Sequence, residues 1–474
     1  MLRETLKWKT HKSKSTDAGH AGGTSRSSDE VSVMEVEQRG CIIQFYHKEN
    51  YGHTIGGTEM IKTKPFSISK FVVQKAYERV KQNRGSAGVD GLSLEKFEED
   101  RRNHLYRLWN RMSSGSYMPS PVLQVEIPKK GGGVRPLGIP TVTDRIAQMV
   151  VTMSLEPKLD RIFHKDSYGY RPNKSAKEAV GITRQRCWKY DWVLDLDIKG
   201  FFDNIPHDLL MKAVRRHTSC KWILLYIERW LKTPVKKSDG TLAERTKGTP
   251  QGAVISPLLA NLFLHYCMDE WLRIKYPDCT FERYADDCVV HCRTEAKAMG
   301  LKKELEQRLK TCGLELHPEK TKIVYCGKES RNKSYPVIAF DFLGYTFRRR
   351  KAKTKRGDYF ASFQPAISNK SKVAIYDKMR SWQLHRKGGS DLKRLASIVN
   401  PALRGWINYY GAFYKSELYK VLRHMNRLLV KWATRKYKRL RNRKVKAIKW
   451  MAGISKRNPN LFEHWRYGVL PSVE

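Results

Sequence analysis

The sequence predicts an α+β protein in which a helix-covered sheet is followed by an all-helical, basic end. Three observations carry this. From Ser120 to about Phe347, short β-rich runs (193–198, 288–291 and 322–325) alternate with helical segments such as 298–309. After Phe347 a polar, Lys-rich segment, RRRKAKTKRGD, leads into aromatics and aliphatics at helical spacing between stripes of Lys and Arg, as in 401–437. Hydrophobic residues make up 40% and aromatics 11% of 474 residues, which suits several globular cores rather than a disordered chain.

Residues 1–62 are rich in Ser, Thr, Gly and Lys with little hydrophobic periodicity, and are expected to form a mobile extension. From Ser67, the recurrence of Phe71, Val72, Ala76 and Val80 predicts a helix that ends near Asn83-Arg84-Gly85. Gly88, Asp90 and Gly91 mark a turn-rich connector, and one further helix is expected from Leu94 to about Met112. The expected organisation is an extension over 1–62, a helical region over 63–118, a β-rich centre over 119–350 and a helical basic region over 351–474. There is no internal repeat.

Charge narrows the partners. Lys plus Arg number 91 against 47 Asp plus Glu, a net +44. From Arg348 to Glu474 there are 33 basic and 6 acidic residues, so +27 lies in 127 residues and +17 in the other 347. A field that strong opposes compaction unless a polyanion neutralises it, which points to nucleic acid and salt-dependent binding. No apolar run approaches the length of a bilayer span, and the first residues resemble no signal peptide. The nine cysteines form no CxxC pair and predict neither a zinc module nor a disulfide framework.

Two acidic constellations point to chemistry. In FERYADDCVVHC (281–292) the adjacent Asp286 and Asp287 sit between an expected hairpin turn and an apolar strand. Like charges side by side need a compensating cation, and magnesium is the hard ion that oxygen ligands suit. Taken alone, the motif equally describes an exposed acidic turn. In VLDLDIKGFFDNIP (193–206) Asp197 emerges at the end of a strand. If that strand pairs beside the hairpin, Asp197 can share two metals with Asp286 and Asp287. Asp195 lies on the same strand face and is assigned to a polar layer behind the site, although its spacing does not exclude it. Asp203 is assigned as a helix or turn cap.

Tyr284-Ala285-Asp286-Asp287 together with Asp197-Ile198-Lys199-Gly200-Phe201-Phe202-Asp203 resembles the reverse transcriptases encoded by group II introns. IPKKGGGVRPLGIPTVTDRIAQMVV (127–151), GTPQGAVISPLLANLFLHYCMDEW (248–271), LELHPEKTKIVYC and DFLGYTF follow in that family's order, and the likeness covers about residues 65–474. The resemblance implies a right-hand polymerase: fingers, a palm with an antiparallel sheet, and a helical thumb or maturase domain. Some members continue into an endonuclease domain with metal-binding cysteines; with no cysteine after Cys326, none is expected here. The resemblance also implies RNA-directed DNA polymerase activity with two Mg2+ ions, Mn2+ being a substitute, held by Asp197, Asp286, Asp287 and Ile198.

Further roles follow with that family. Gly131 to Gly133 permit a tight turn over which Lys129, Lys130 and Arg135 can fold onto a triphosphate; a basic tip on the template backbone is the alternative. Pro250, Gln251 and Gly252 are expected in the nucleotide site, as is Ile198. Phe202 is expected as a sugar gate, or else a core ring. Lys320 is expected as a general acid toward pyrophosphate, or else a solvated lysine. Phe342, Leu343, Gly344 and Tyr345 are expected at the primer. The aromatics of 401–437 are expected to serve as core more than as base-stacking platforms.

The implied partners are group II intron RNA, an RNA template, a DNA primer or target, and deoxynucleoside triphosphates, without a membrane; a homodimer is left open. A bacterial cytoplasm is the expected location, an organelle the alternative. Function reads as an intron protein that assists splicing and copies its RNA into DNA. Two other readings remain: a reverse transcriptase recruited to host work such as phage defence or CRISPR spacer acquisition, and a splicing-only RNA-binding maturase. The intact Asp197, Asp286, Asp287 and Arg135 count against the last.

Overall fold

Ser69 starts the first helix: its side chain accepts a hydrogen bond from the Phe71 amide at 3.2 Å, and Lys70–Gln82 follows. Val73, Ala76, Tyr77 and Val80 form the buried face, whereas Phe71, expected on that face, is 66% exposed. The single helix expected from Leu94 is two, Leu94–Glu99 and Arg101–Ser114, because Asp100 leaves helical geometry between them. The computed structural model describes residues 64–128, 133–327, 334–353, 356–472, and Ile68 onward forms one compact unit. The expected extension over 1–62 lies outside the described residues.

Strands β1 (Val122–Pro128) and β2 (Val134–Ile139) pair antiparallel, and β1 runs parallel to β4 (Val235–Lys236), itself paired with β5 (Leu242–Ala243). The helix Val142–Asp160 follows. Thr141 caps it, and apolar residues on nearly every side, among them Ile146, Ala147, Val150 and Val151, make it a fully packed core helix.

The central sheet has the order β6-β7-β3-β8 and is antiparallel throughout: β3 is Trp192–Leu196, β6 Thr280–Tyr284, β7 Asp287–Cys292 and β8 Lys322–Tyr325. The apolar run Val193, Leu194, Leu196 against Val289 and Val290 has helices on its faces, including Glu295–Thr311. The strand expected over 193–198 stops at Leu196, and Ile198 makes an isolated bridge with Leu316 instead.

A third sheet corrects the expectation that a polar connector follows Phe347. β9 (Phe340–Phe342), β10 (Tyr345–Lys353) and β11 (Tyr359–Ile367) form a sheet in the order β11-β10-β9, so the Lys- and Arg-rich segment is mostly strand. Alternation was masked there because both strand faces beyond Phe347 are solvated, leaving no apolar period to see. The expected boundary at 350/351 falls inside β10.

Helices Asn369–Ser381, Leu392–Tyr410, Lys415–Lys436 and Lys444–Arg457 complete the chain around a core of Leu395, Leu403, Leu422, Met425 and Trp432. Trp406, Tyr410, Tyr419 and Tyr437 pack against this core, as expected for helix-spaced aromatics.

Candidate active site

The β6–β7 hairpin closes with the pair Tyr284 and Asp287, leaving Ala285 and Asp286 as its two-residue loop. Ala285 sits at φ +59, a left-handed conformation that costs a residue with a Cβ about 1–2 kcal/mol. The surroundings hold it there. Arg283, fully buried, donates through Nη1 to the Ala285 carbonyl (3.1 Å) and to Asn261 Oδ1 (2.9 Å). Its Nε and Nη2 bind the two oxygens of buried Asp269 at 2.8 and 2.5 Å. On the other side the segment 166–169 runs beside β6: Tyr168 N donates to Arg283 O (2.7 Å) and Arg283 N to Asp166 O (3.0 Å). Gly169 packs so closely on the loop that a Cβ would lie 2.4 Å from the Ala285 nitrogen.

Asp197 follows β3 directly. The register pairs Leu196 with Cys288, so one further step brings Asp197 level with Asp287 on the neighbouring strand. A strap from 315–321 fixes Asp197 from the other side: its carbonyl accepts from His317 N at 2.7 Å, and Lys199 N donates to Glu315 O at 2.9 Å. The strap also delivers Lys320, whose Nζ lies 2.7 Å from Asp197 Oδ2 while its side chain stays 60% exposed.

These acids repel one another. Burial first, and then the charges of Asp287, Asp341 and Asp197, push the Asp195 carboxyl up to about 8, with Lys322 opposing. Clustered carboxylates, one already leaning on an ammonium, are a donor set that a hard divalent cation fits. Among the described residues, no three ligating side chains stand close enough to hold an ion as they are. Tyr170, at φ +55, belongs to the same cluster, since burial and then Asp286 raise its phenol while Arg135 lowers it.

The second half of the site joins the first sheet to the segment before the helix Ser256–Leu264. Arg135 Nε donates to Gln251 Oε1 at 2.6 Å, and Gln251 Nε2 donates to Asp203 Oδ2 at 3.3 Å. Gly138 N donates to Gln251 O at 2.8 Å. Gly252 is at φ +120, where a Cβ would meet Gly138 O at 2.6 Å, so this approach requires glycine at 252; a Cβ on Gly138 would meet the Val122 and Pro250 side chains instead. Thr249 N donates to Phe202 O at 2.7 Å, tying this segment to the short helix Phe201–Asn204. Phe202 is 8% exposed with its ring against Phe201, and Pro250 packs over Gly138.

The structure thus gathers Asp197, Asp287 and Lys320 on one side and Arg135, Gln251 and Gly252 on the other. Asp286 occupies the loop between them and Tyr170. Ile198 is buried in its bridge, which leaves its backbone rather than its side chain for any ligand. Lys129 and Lys130 lie outside the described residues. Phe342, Leu343 and Tyr345 are buried, and the turn carbonyls of Leu343 and Gly344 accept from Tyr409 Oη (2.7 Å) and Ser371 Oγ (2.9 Å).

Sequence reasoning missed Arg283, Asp269, Asn261, Gly169 and Tyr170, and it assigned Asp203 to a cap rather than to Gln251. A charged pair inside β6, Glu282-Arg283, beside an apolar β7 was the available signal, since buried charges require partners. Nothing in the spacing named those partners.

A family model for reverse transcriptase (RNA-dependent DNA polymerase) matches residues 127–347, and one for the group II intron, maturase-specific domain matches 373–450. Protein YkfC of Escherichia coli K12 is 32% identical over 312 residues, 56% of this chain and 77% of that protein. Group II intron-encoded protein LtrA of Lactococcus lactis subsp. cremoris is 27% identical over 425 residues, 71% of this chain and 68% of that protein. A telomerase structure from Candida albicans aligns over 80% of this chain and 68% of its own at TM-score 0.41 and 14% identity.

Two predictions follow from the hairpin and its acids. Arg283→Met should cost about 3–5 kcal/mol in denaturant unfolding, because it strands a buried carboxylate. Arg283→Met with Asp269→Leu should recover most of that stability yet leave nucleotide incorporation low, since the Ala285 carbonyl has lost its donor. Recovery of both together would show the pair to be merely structural. Secondly, magnesium added to chelated protein should raise the melting temperature by a few degrees. Asp287→Asn should lose that rise and, in chelator, melt no lower than wild type, because one repelling charge is gone. An equal magnesium response in the variant would remove Asp287 from the cation site.

Proposed function

The chain belongs to the family of group II intron-encoded reverse transcriptases and maturases, and from that premise we propose that it binds intron RNA to assist splicing and copies it into DNA with Asp197, Asp286 and Asp287 as the metal-holding set. The chain is an RNA-directed DNA polymerase by family. Reverse transcriptases use divalent metal ions, and two Mg2+, with Mn2+ as a substitute, are the proposed pair here. The observation that carries the reading is the β3–β7 register, which supports Asp197 and Asp287 side by side at the mouth of the strained Ala285-Asp286 loop.

When bound, the divalent ions supply the positive charge that acidifies a primer 3′-hydroxyl and steadies the leaving pyrophosphate. The rest is the work of this chain. Asp197, Asp287 and Asp286, with the Ile198 carbonyl, hold the cation side. Lys320 is proposed as the proton donor to departing pyrophosphate: its ammonium rests on Asp197 at 2.7 Å. Arg135, presented on β2 and steered by Gln251, offers a guanidinium to the triphosphate of an incoming deoxynucleotide. Lys129 and Lys130 are proposed beside it. Gly252 and Pro250 keep the backbone close enough for the new base pair to lie against it.

Phe202 is proposed as the sugar gate, its backbone clamped by Thr249 so that the ring cannot withdraw from a ribose 2′-hydroxyl. The turn at Leu343-Gly344 is proposed to steady the primer through backbone alone. For RNA, the helices Leu392–Tyr410 and Lys415–Lys436 bury their aliphatic faces and leave Lys and Arg outside, which supports phosphate and 2′-hydroxyl recognition of a structured RNA. No helix among the described residues is long and apolar enough to cross a membrane.

Primer extension on an RNA template with magnesium tests the polymerase. Asp286→Ala should abolish DNA synthesis while leaving the affinity for structured RNA within about two-fold of wild type, because the helical region is untouched. A folded wild type that binds RNA and extends nothing would turn the reading to splicing alone. In the same assay Phe202→Val should raise ribonucleotide incorporation at least ten-fold relative to deoxynucleotides, roughly the 1.4 kcal/mol expected from removing one steric clash. Unchanged discrimination would withdraw the gate.

A further inference from the structure

The hairpin of β10 and β11 is anchored at one end only. Phe347 and Phe363 are buried, Phe340 and Phe347 stack at 4.8 Å, and Trp188 Nε1 donates to Phe363 O at 2.9 Å. Tyr414 Oη reaches across to Lys351 O at 3.2 Å, and the Arg350 guanidinium lies 5.1 Å over the Tyr414 ring. Beyond these ties the strands leave the body. Arg348, Lys351 and Lys353 are exposed on β10, and 359–361 are exposed on β11. On β10 only Ala352 and Lys353 lie past the Lys351 tie, two residue steps or about 7 Å of described strand.

The composition of this end is specific. Between Tyr345 and Ile367 there are seven basic residues and one acidic, Asp358. Tyr359 is 72% and Phe360 48% exposed. The register sets Lys353 opposite Tyr359, with the ammonium 5.6 Å from the ring centroid, and Ala352 opposite Phe360. Successive strand residues point to opposite faces, so each face of the ribbon carries one aromatic ring, with Lys351 and Lys353 on the Tyr359 side and Arg348 and Arg350 on the Phe360 side.

We propose that this hairpin is an RNA-binding arm whose cations take the phosphates and whose Tyr359 and Phe360 stack on unpaired bases of a looped RNA. The proposal rests on the reading above that the chain binds structured RNA, and it names a surface outside the acids and the nucleotide segment. Charge alone would suit the backbone of any duplex. The rings decide between partners: a paired duplex keeps its bases stacked and offers an exposed aromatic little, whereas a loop presents base faces on which Tyr and Phe can lie. Tyr359 is mostly solvated and Phe360 about half exposed, on opposite faces of the ribbon, and neither belongs to the buried core. A hairpin of this shape can therefore enter a loop and be stacked on from both sides.

The test uses the full chain at fixed salt with three probes: an RNA hairpin with an unpaired loop of about eight nucleotides, a fully paired RNA of equal length, and single-stranded DNA of the loop sequence. Tyr359→Ala with Phe360→Ala should weaken binding of the looped RNA by about ten-fold or more and leave the paired RNA unchanged. Arg348→Gln, Lys351→Gln and Lys353→Gln together should weaken both RNAs and lower the salt slope by about two to three. A melting curve matching wild type establishes that each variant is folded, the changes being confined to exposed positions. Equal losses on looped and paired RNA, or none on the loop, overturn the arm while leaving RNA binding in place. A wild type that binds no RNA overturns the arm and the proposed RNA partner together. DNA that competes equally and loses the same factor reassigns the arm to a displaced DNA strand and overturns the RNA assignment.

Discussion

Everything at the acidic end of this fold depends on one buried ion pair. Arg283 and Asp269 are both removed from water, and burying two charges costs several kcal/mol each before their attraction is counted. The pair survives because every polar group on it is used. Asp269 takes the bidentate fork, and the remaining guanidinium nitrogen reaches Asn261 and the Ala285 carbonyl. The last of these bonds is the important one. It fixes the loop that carries Asp286 in a conformation that its own alanine disfavours, and Gly169 closes the opposite side. An apolar pair of similar volume could fill the space, but it could not hold a carbonyl.

That constraint explains how a protein of net charge +44 keeps a local concentration of negative charge. The acids stand at strand ends whose backbone is already committed: Asp197 by its register and the 315–321 strap, Asp287 by its pair with Tyr284. Their repulsion cannot be relieved by moving the backbone; it adds to burial, the larger cause, in raising the Asp195 carboxyl, and Lys320 rests on Asp197. On the proposed reading, a cation entering the site would take over the neutralisation that Lys320 now supplies to Asp197, leaving that ammonium available to a substrate.

The sequence carried the strands, the acids and the order of blocks well, because each is a local signal. An apolar run ending in Asp, a Tyr-x-Asp-Asp turn and a glycine-bounded segment are visible at short range, and β8 falls where expected, at Lys322–Tyr325. What failed was long-range or two-sided. Asp269 lies 14 residues from Arg283, and Asp203 lies 48 from Gln251; pairings of that reach are set by topology rather than spacing. Phe71 was assigned inward because three apolar neighbours shared its period, yet the buried face is the one through Val73, Ala76, Tyr77 and Val80. The β10–β11 hairpin was missed for the opposite reason: alternation is informative only when one face is buried, and here both faces are wet past Phe347.

The position of that hairpin bears on how RNA recognition and copying are joined. The reverse transcriptase match ends at 347 and the maturase match begins at 373, so the interval between the two regions is the hairpin and the start of a helix. It is no flexible linker. Phe340, Tyr345, Phe347 and Phe363 share a core with Val193, Val289 and Val324 of the acid-bearing sheet, and Tyr409, Tyr410 and Phe413 of the helical region pack on the same core. Tyr345 Oη donates to the Tyr409 carbonyl, and Tyr409 Oη donates back to Leu343. A displacement of the helices relative to the central sheet would have to break that reciprocal pair and open an aromatic core, at a cost of several kcal/mol. An RNA bound by the helices, as proposed, would therefore be held at a fixed distance from Asp197 and Asp287. On that proposal splicing assistance and DNA synthesis would share one rigid frame, with adjustment left to the RNA rather than to a hinge in the protein.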